Sequence, residues 1–204
     1  MKDLYTLFRH SLAGLRVLVA MTLLLGVAYP LAVTGIAQVA FPWHADGSLV
    51  TATGSHTTDA GQAVGSAIIG QTVDDDGLFQ NRPSAAGDGY DMLSTYGTNL
   101  GPNNPDLVAS IKQLKAEVAE RERVDPSDVP PDAVTSSASG LDPDISPAYA
   151  AIQVPRVAAA NDLSEDAVRR LVAEHTSGRT WGVLGEPRVN VLELNIAVRV
   201  LAGS

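Results

Sequence analysis

Between Val17 and Trp43 the chain runs for 27 residues without one charged side chain. That exceeds the roughly 20 apolar residues that carry a helix across a bilayer core. Its centre reads VLVAMTLLLGVAYPLAVTGIAQVA. A helix buried in a soluble core would be shorter and would carry a polar stripe, and this run has none. A cleaved leader would close a stretch of about 7–15 apolar residues with an A-x-A-like site, and no such triplet follows here. The run is therefore expected to be an uncleaved anchor, kinked near Pro30 or ending soon after it. Tyr29, Phe41 and Trp43 suit an interfacial belt at its far end.

The flanks set an orientation. Lys2, Arg9 and Arg16 precede the span, and the next basic residue is Arg82. Positive-inside bias places the N-terminus in the cytoplasm and the bulk of the chain outside, a single-pass protein of the inner or plasma membrane. The expected organisation is a cytoplasmic N-terminus (1–11), an anchor helix (12–41) and an extracytoplasmic soluble domain (42–204). Gly14, Gly26 and Gly35 could admit a neighbouring helix, or be the ordinary glycine of a membrane span.

Beyond Trp43 there are 11 basic and 22 acidic residues, a net charge of −11. Nucleic-acid binders need a basic footprint, so that class is excluded. The absence of cysteine removes disulfides, thiolate zinc sites and a cysteine nucleophile. Aromatics make up only 5% of the chain, so the core must be aliphatic. Asp74, Asp75 and Asp76 read as a solubilising turn before Gly77, or as an acidic surface that concentrates cations.

Local patterns outline an α+β domain. GSAIIGQTV (Gly65–Val73) reads as a strand. LFQNRPSA (Leu78–Ala85) contains Pro83 and reads as an edge or turn. Ala86–Asn104 is a long Gly/Asn-rich loop, of a length usually tied to function or disorder. Asn104, Pro105 and Asp106 open a helix whose apolar stripe is Leu107, Ile111, Leu114 and Val118, ending near Val124. VDPSDVPPDAV (Val124–Val134) reads as a stiff linker. Ser146 and Pro147 start the next helix, which Pro155 should bend or end. Ser164 caps a third, stopped at Gly178. Asn190–Glu193 fits a capping box ahead of a helix reaching Leu201.

The stretch TSSASGLDPDISPAYAAIQVPRVA (Thr135–Ala158) invites three chemistries. Asp142, Asp144 and Ser146 have calcium-loop spacing, but the required glycine and bidentate glutamate are replaced by Pro147 and Gln153. Ser136, Ser137 and Ser139 lack a G-x-S-x-G elbow or an S-x-x-K motif. His10, His44, His56 and His175 are scattered, and the adjacency of Ser55, His56 and Asp59 does not make a triad, which is assembled in space. GRTWGVLGE (Gly178–Glu186) lacks the lysine of a phosphate loop. What remains is a rigid corner, with Gly140 at positive φ, Pro143 and Pro147 fixing φ, and Asp142 bonding its own backbone. That corner is expected to present Tyr149, Gln153 and Arg156 for recognition. No catalytic residue and no metal ligand is assigned.

Six words in order behind one anchor resemble the KdpC family of the bacterial Kdp potassium-transporting P-type ATPase: YPLAVTGIAQVAFPWHADGSL, GSAIIGQ, NRPSA, TNLGPNNP, VTSSASGLDPDISPAYAAIQVPRVA and LGEPRVNVLELNIAV. The resemblance implies a complex with a channel-like potassium-translocating subunit and an ATP-hydrolysing P-type subunit, beside membrane lipid. The chain has neither a D-K-T-G phosphorylation motif nor a T-V-G-Y-G-like filter, so the implied role is accessory and non-catalytic. One family reading is a catalytic chaperone that raises ATP affinity through a glutamine, matched here by Gln153; ATP then enters only through the complex, and no cofactor is covalently bound. The derived topology sets Gln153 across the membrane from cytosolic ATP. The other reading is a domain that braces the complex and covers the outer potassium entrance. Arg82, Ser84, Asn99, Gly140, Asp142, Arg156, Asn190, Glu193 and Asn195 are candidates for partner contact or for structure. The rival classes are a membrane-anchored extracytoplasmic hydrolase and a stand-alone solute-binding module.

Overall fold

The computed structural model describes residues 2–203; Met1 and Ser204, the outermost residues of the two terminal segments, lie outside the described residues. The chain divides into two compact units, residues 1–47 and 48–204.

The first unit is built on helix α1 (Lys2–Leu23), a π turn (Leu24–Ala28) and helix α2 (Tyr29–Ala40). Together they form one continuous helix over Asp3–Ala40, long and apolar enough to cross a membrane and with no residue of its apolar window buried. Pro30 explains the π turn. Its ring would collide with the carbonyl four residues earlier, that of Gly26, and it has no N–H to offer. The helix widens instead, and the Tyr29 N–H reaches back five residues to Leu24 O, a common way to absorb such a defect. It then continues to Ala40 rather than stopping at the proline. Phe41, at φ −142, ends it before the short helix α3 (Pro42–Ala45).

The second unit begins with three short antiparallel strands, β1 (Leu49–Thr51), β2 (His56–Thr57) and β3 (Ala63–Ser66), in the order β2-β1-β3. Leu49 pairs with Thr57 on one side and Ser66 on the other. The strand expected over 65–73 therefore forms only at its start. The Ala67 N–H still donates to Ser48 O at 2.9 Å, and beyond it the backbone leaves the ladder: Asn190 Nδ2 donates to Ala67 O at 2.7 Å and the Gly70 N–H donates to Leu141 O at 2.9 Å.

Helix α4 (Pro105–Glu122) opens as expected, with Asn104 Oδ1 accepting from the Asp106 N–H. It closes on Arg123 in the left-handed region at φ 57, where the Val124 N–H reaches Ala119 O in a Schellman pattern. The expected linker over 124–134 is instead two 3-10 turns, Pro126–Asp128 and Pro131–Val134. They insert Val129, Ala133 and Val134 into the core, so apolar burial rather than spacing accounts for them.

A second sheet joins β4 (Asp144–Ile145), β5 (Thr176–Ser177) and β6 (Arg188–Asn190) in the order β4-β6-β5. Helix α5 (Pro147–Ala160) follows β4, with Ser146 Oγ accepting from the Tyr149 N–H. Pro155 does not end it. Pro155 and Ala151 both lie on the exposed face, where water can take the carbonyl left without a donor. Helix α6 (Glu165–Glu174) starts at the Ser164 cap but stops before Gly178. His175 caps it, and Thr176 Oγ1 takes Val172 O at 2.6 Å as β5 begins. Helix α7 (Val191–Ala202) starts where Asn190 Oδ1 accepts from the Glu193 N–H.

The core gathers on α4, α5, α6 and α7 around Phe79, Tyr149, Val154, Val157, Val168, Leu194 and Val198. It is largely aliphatic, and the fold is an α+β domain behind one long apolar helix.

Candidate functional site

After a turn at residues 75–78, closed by the Leu78 N–H on Asp75 O at 3.1 Å, the chain runs through the core from Leu78 to Arg82 without a neighbouring strand. An extended chain offers N–H and C=O groups alternately to either side, and buried ones must find partners. Here side chains supply them. On one side, Asn195 Oδ1 accepts from the Phe79 N–H at 2.8 Å and its Nδ2 donates to Phe79 O at 2.9 Å. On the next residue, Gln153 Oε1 accepts from the Gln80 N–H at 2.7 Å and Nε2 donates to Gln80 O at 3.2 Å. Two carboxamides thus do for consecutive residues what an adjacent strand would do.

The remaining carbonyls are taken in the same way. Arg156 Nη1 donates to Asp76 O, and to Leu78 O at 3.0 Å. Asn161 Nδ2 donates to Gly77 O at 2.7 Å, and the Tyr149 hydroxyl to Asn81 O at 3.4 Å. The Tyr90 hydroxyl donates to Arg82 O at 2.8 Å. Every carbonyl from Asp76 to Arg82 therefore accepts from a side chain. Tyr149, Gln153 and Arg156 recur at helical spacing on one face of α5, which is what the word AAIQVPRVA encodes.

These three were expected to be displayed outward. They point inward: Gln153 is 0% and Tyr149 1% exposed. Apolar neighbours on the same face, Val154 and Val157 among them, bury that face. Arg156 also donates through Nη2 to Gln153 Oε1 at 2.9 Å and through Nε to Glu122 Oε2 at 2.8 Å. The Glu122 side chain is fully buried, and its other oxygen meets Arg121 Nε at 2.7 Å. Arg121 Nη2 in turn donates to the Tyr149 hydroxyl at 3.0 Å. Burial pushes the Tyr149 phenol above its ordinary range, against the pull of Arg121. Glu122 was not singled out from sequence. The signal was there, because four residues on from Val118 the apolar stripe of α4 lands on it.

A second knot fixes the long loop. Arg82 Nη1 meets Asp142 Oδ2 at 2.8 Å, and its Nε and Nη2 donate to Thr135 O. Ser84 Oγ donates to Gly140 O at 2.7 Å and accepts from the N–H groups of Ala86 and Tyr90. Gly140 has the expected positive φ, 71°, and a Cβ there would lie 2.7 Å from Ala86 Cβ and 2.9 Å from Tyr96 O. Asp142 Oδ1 accepts from the Asp144 N–H at 3.0 Å, the local bond expected of it. Burial, reinforced by Asp142, raises the Tyr90 phenol well above its usual range. Asn99 stands apart, exposed at φ 52 with its Nδ2 on Gly97 O. Asn190 bridges Ala67 to the start of α7, while Glu193 contributes its backbone N–H there. Ser137 and Ser139 accept from the N–H groups of Gly140 and Leu141, and Asp59 binds Gly61 and Gln62.

Beside the clamped segment lies a cavity of about 260 Å³, lined by Gln71, Asp75, Asn81, Asn195 and Arg199 among others. It falls below the roughly 300–1,000 Å³ of ordinary ligand pockets and has room for several waters.

Two expectations follow from this geometry. Asn195→Ala leaves both polar groups of buried Phe79 without partners, so urea unfolding of the full chain in detergent should show a loss of about 2–3 kcal/mol. Asp144 pairs with Arg188 at 3.0 Å, yet burial outweighs that pairing and raises its carboxyl. A raised folded-state value favours the protonated form in the native chain. Its stabilising share is therefore full below the unfolded value, about 3.9, and is lost as pH rises through the folded one. Asp144→Asn should remove that decline from the acid limb of a stability–pH curve.

The family model "K+-transporting ATPase, c chain" matches residues 11–199. Curated proteins named "Potassium-transporting ATPase KdpC subunit" are similar over nearly the whole chain. The one from Kineococcus radiotolerans is 49% identical across 98% of this chain and 97% of its own. That of Acidobacterium capsulatum is 51% identical across 84% and 88%, and that of Streptomyces avermitilis 45% across 94% of each.

Proposed function

Because this chain belongs to the KdpC family of the K+-transporting ATPase, we propose that it serves potassium uptake as a rigid brace rather than as a nucleotide-binding part. The long apolar helix anchors it with its N-terminus in the cytoplasm, and the α+β domain stands outside. There it packs on the channel-like translocating subunit around the ion entrance, while the ATP-hydrolysing subunit does the chemistry.

One observation carries this reading. Gln153, the residue the nucleotide reading needs, has Oε1 engaged by the Gln80 N–H and Arg156 Nη2 and Nε2 engaged by Gln80 O. A nucleotide reaching Gln153 would have to break both hydrogen bonds to Gln80 and open the core. The basic residues ahead of the span support the orientation, which also keeps the domain away from cytosolic ATP.

Purification of tagged chain in mild detergent should bring down both partner subunits; recovery of the chain alone would contradict membership of an assembled pump. The absence of cysteine makes the topology directly testable. Ser94→Cys should react with an impermeant maleimide in intact cells, and Asp3→Cys only after permeabilisation; the reverse pattern would overturn the orientation.

A further inference from the structure

We propose that the N-terminal turns of α1 form a docking strip for anionic phospholipid headgroups, with Arg9 and Arg16 on lipid phosphates and Leu4, Phe8 and Leu15 sunk beneath them. This rests on the anchor reading above and adds where the bilayer boundary lies.

Length gives the first argument. The continuous helix has 38 residues, about 57 Å at the usual rise. A bilayer core is about 30 Å thick, and about 40–45 Å with its headgroups. Standing upright, the helix would overhang by roughly 12–17 Å. The overhang would carry Leu4, Tyr5, Leu7 and Phe8, which are 73%, 65%, 62% and 65% exposed in the chain. Water is a poor environment for such a cluster. A tilt of about 40°, the upper end of what membrane helices adopt, brings the whole length within the bilayer and its interfaces.

The pattern around the helix gives the second. Seven residues turn a helix through almost two full turns, so Arg9 and Arg16 share one edge about 10 Å apart, and the sequence continues the same series to Lys2. Leu4, Phe8 and Leu15 cluster within about 40° of arc, roughly a third of the circumference away. α1 runs unbroken through all of them. In an obliquely inserted helix, an apolar underside with a basic edge is the arrangement of interfacial segments. The Tyr5 ring lies at the border, 5.9 Å from the Arg9 guanidinium, as aromatic residues do at headgroup depth.

Charge selects the lipid. The part of the chain after Trp43 carries −11, so this basic edge is a local feature of the cytoplasmic end. The cytoplasmic leaflet is the one that carries anionic lipid, and each cation near it gains from that charge.

The test uses the full chain with Trp43→Phe and Trp181→Phe, leaving Tyr5→Trp as the reporter, in vesicles of phosphatidylcholine and phosphatidylglycerol. At equal mole fraction, brominated phosphatidylglycerol should quench residue 5 more than brominated phosphatidylcholine does, by roughly fivefold per arginine in local enrichment. Arg9→Gln with Arg16→Gln should erase that difference. Equal quenching in the parent, or water-like emission open to iodide, would overturn the proposal. A blue shift seen only when the partner subunits are added would assign the face to protein and overturn it as well. A separate Leu24→Trp reporter should be quenched by chain-end-brominated phosphatidylcholine. If it is not, the anchor reading itself fails, and this inference with it.

Discussion

Gln153→Ala is expected to destabilise the full chain by about 3–5 kcal/mol, the cost of two orphaned backbone groups plus a cavity. Gln153 is wholly buried and holds both polar groups of Gln80. Truncation leaves that N–H and carbonyl without their side-chain partners, and Arg156 Nη2 loses an acceptor. Urea unfolding in detergent checks it: the midpoint should fall while the slope stays unchanged. Gln153→Glu is a sharper variant. It can keep the acceptor toward the Gln80 N–H and Arg156 but, when ionised, opposes Gln80 O with a second acceptor. It should therefore recover only part of the loss.

Glu122→Ala should cost a similar amount, about 3–5 kcal/mol, because breaking a buried ion cluster leaves uncompensated charge behind. The Glu122 carboxylate lies between Arg121 and Arg156, whose side chains are 34% and 14% exposed. Without it the two guanidinium groups lose the carboxylate that lies between them. Arg156 also secures Asp76 O and Leu78 O, so the loss should spread into the clamped segment. Amide hydrogen exchange would read this as faster exchange at Phe79 and Gln80. Unchanged exchange there would separate Glu122 from the clamp.

The fold was legible wherever local chemistry decides it. The caps at Asn104, Ser146, Ser164 and Asn190, the positive φ of Gly140 and the long apolar helix are all written in neighbouring residues. What escaped was decided by partners far away in the chain. The strands have two to four residues, too short to show alternation. The segment at Phe79 reads as a turn because Pro83 is near, whereas its actual partners lie 73 and 116 positions on. Pro155 was expected to bend or end α5; it does not end it, because on a solvent face the missing bond is cheaply replaced. The site candidates followed the same rule. Arg82 and Ser84 come from the word NRPSA and Gly140 and Asp142 from the later word VTSSASGLDPD; their meeting, across 56–60 positions, was not written in either. The inward aim of Gln153 was hidden, since a polar residue on an apolar face reads equally as a ligand contact or as a satisfied core amide.

The brace account turns on whether Gln153 serves the fold or a nucleotide, and Asn195 provides the comparison. It makes the same pair of bonds to the neighbouring residue. The decisive measurement is the KM for ATP of potassium-stimulated hydrolysis in the purified complex, alongside chain stability, for Gln153→Ala and Asn195→Ala. The account predicts that both variants lose stability and that any change in KM is shared between them. A rise of about tenfold in KM, the loss of one ordinary contact, confined to Gln153→Ala with stability unchanged, would contradict it.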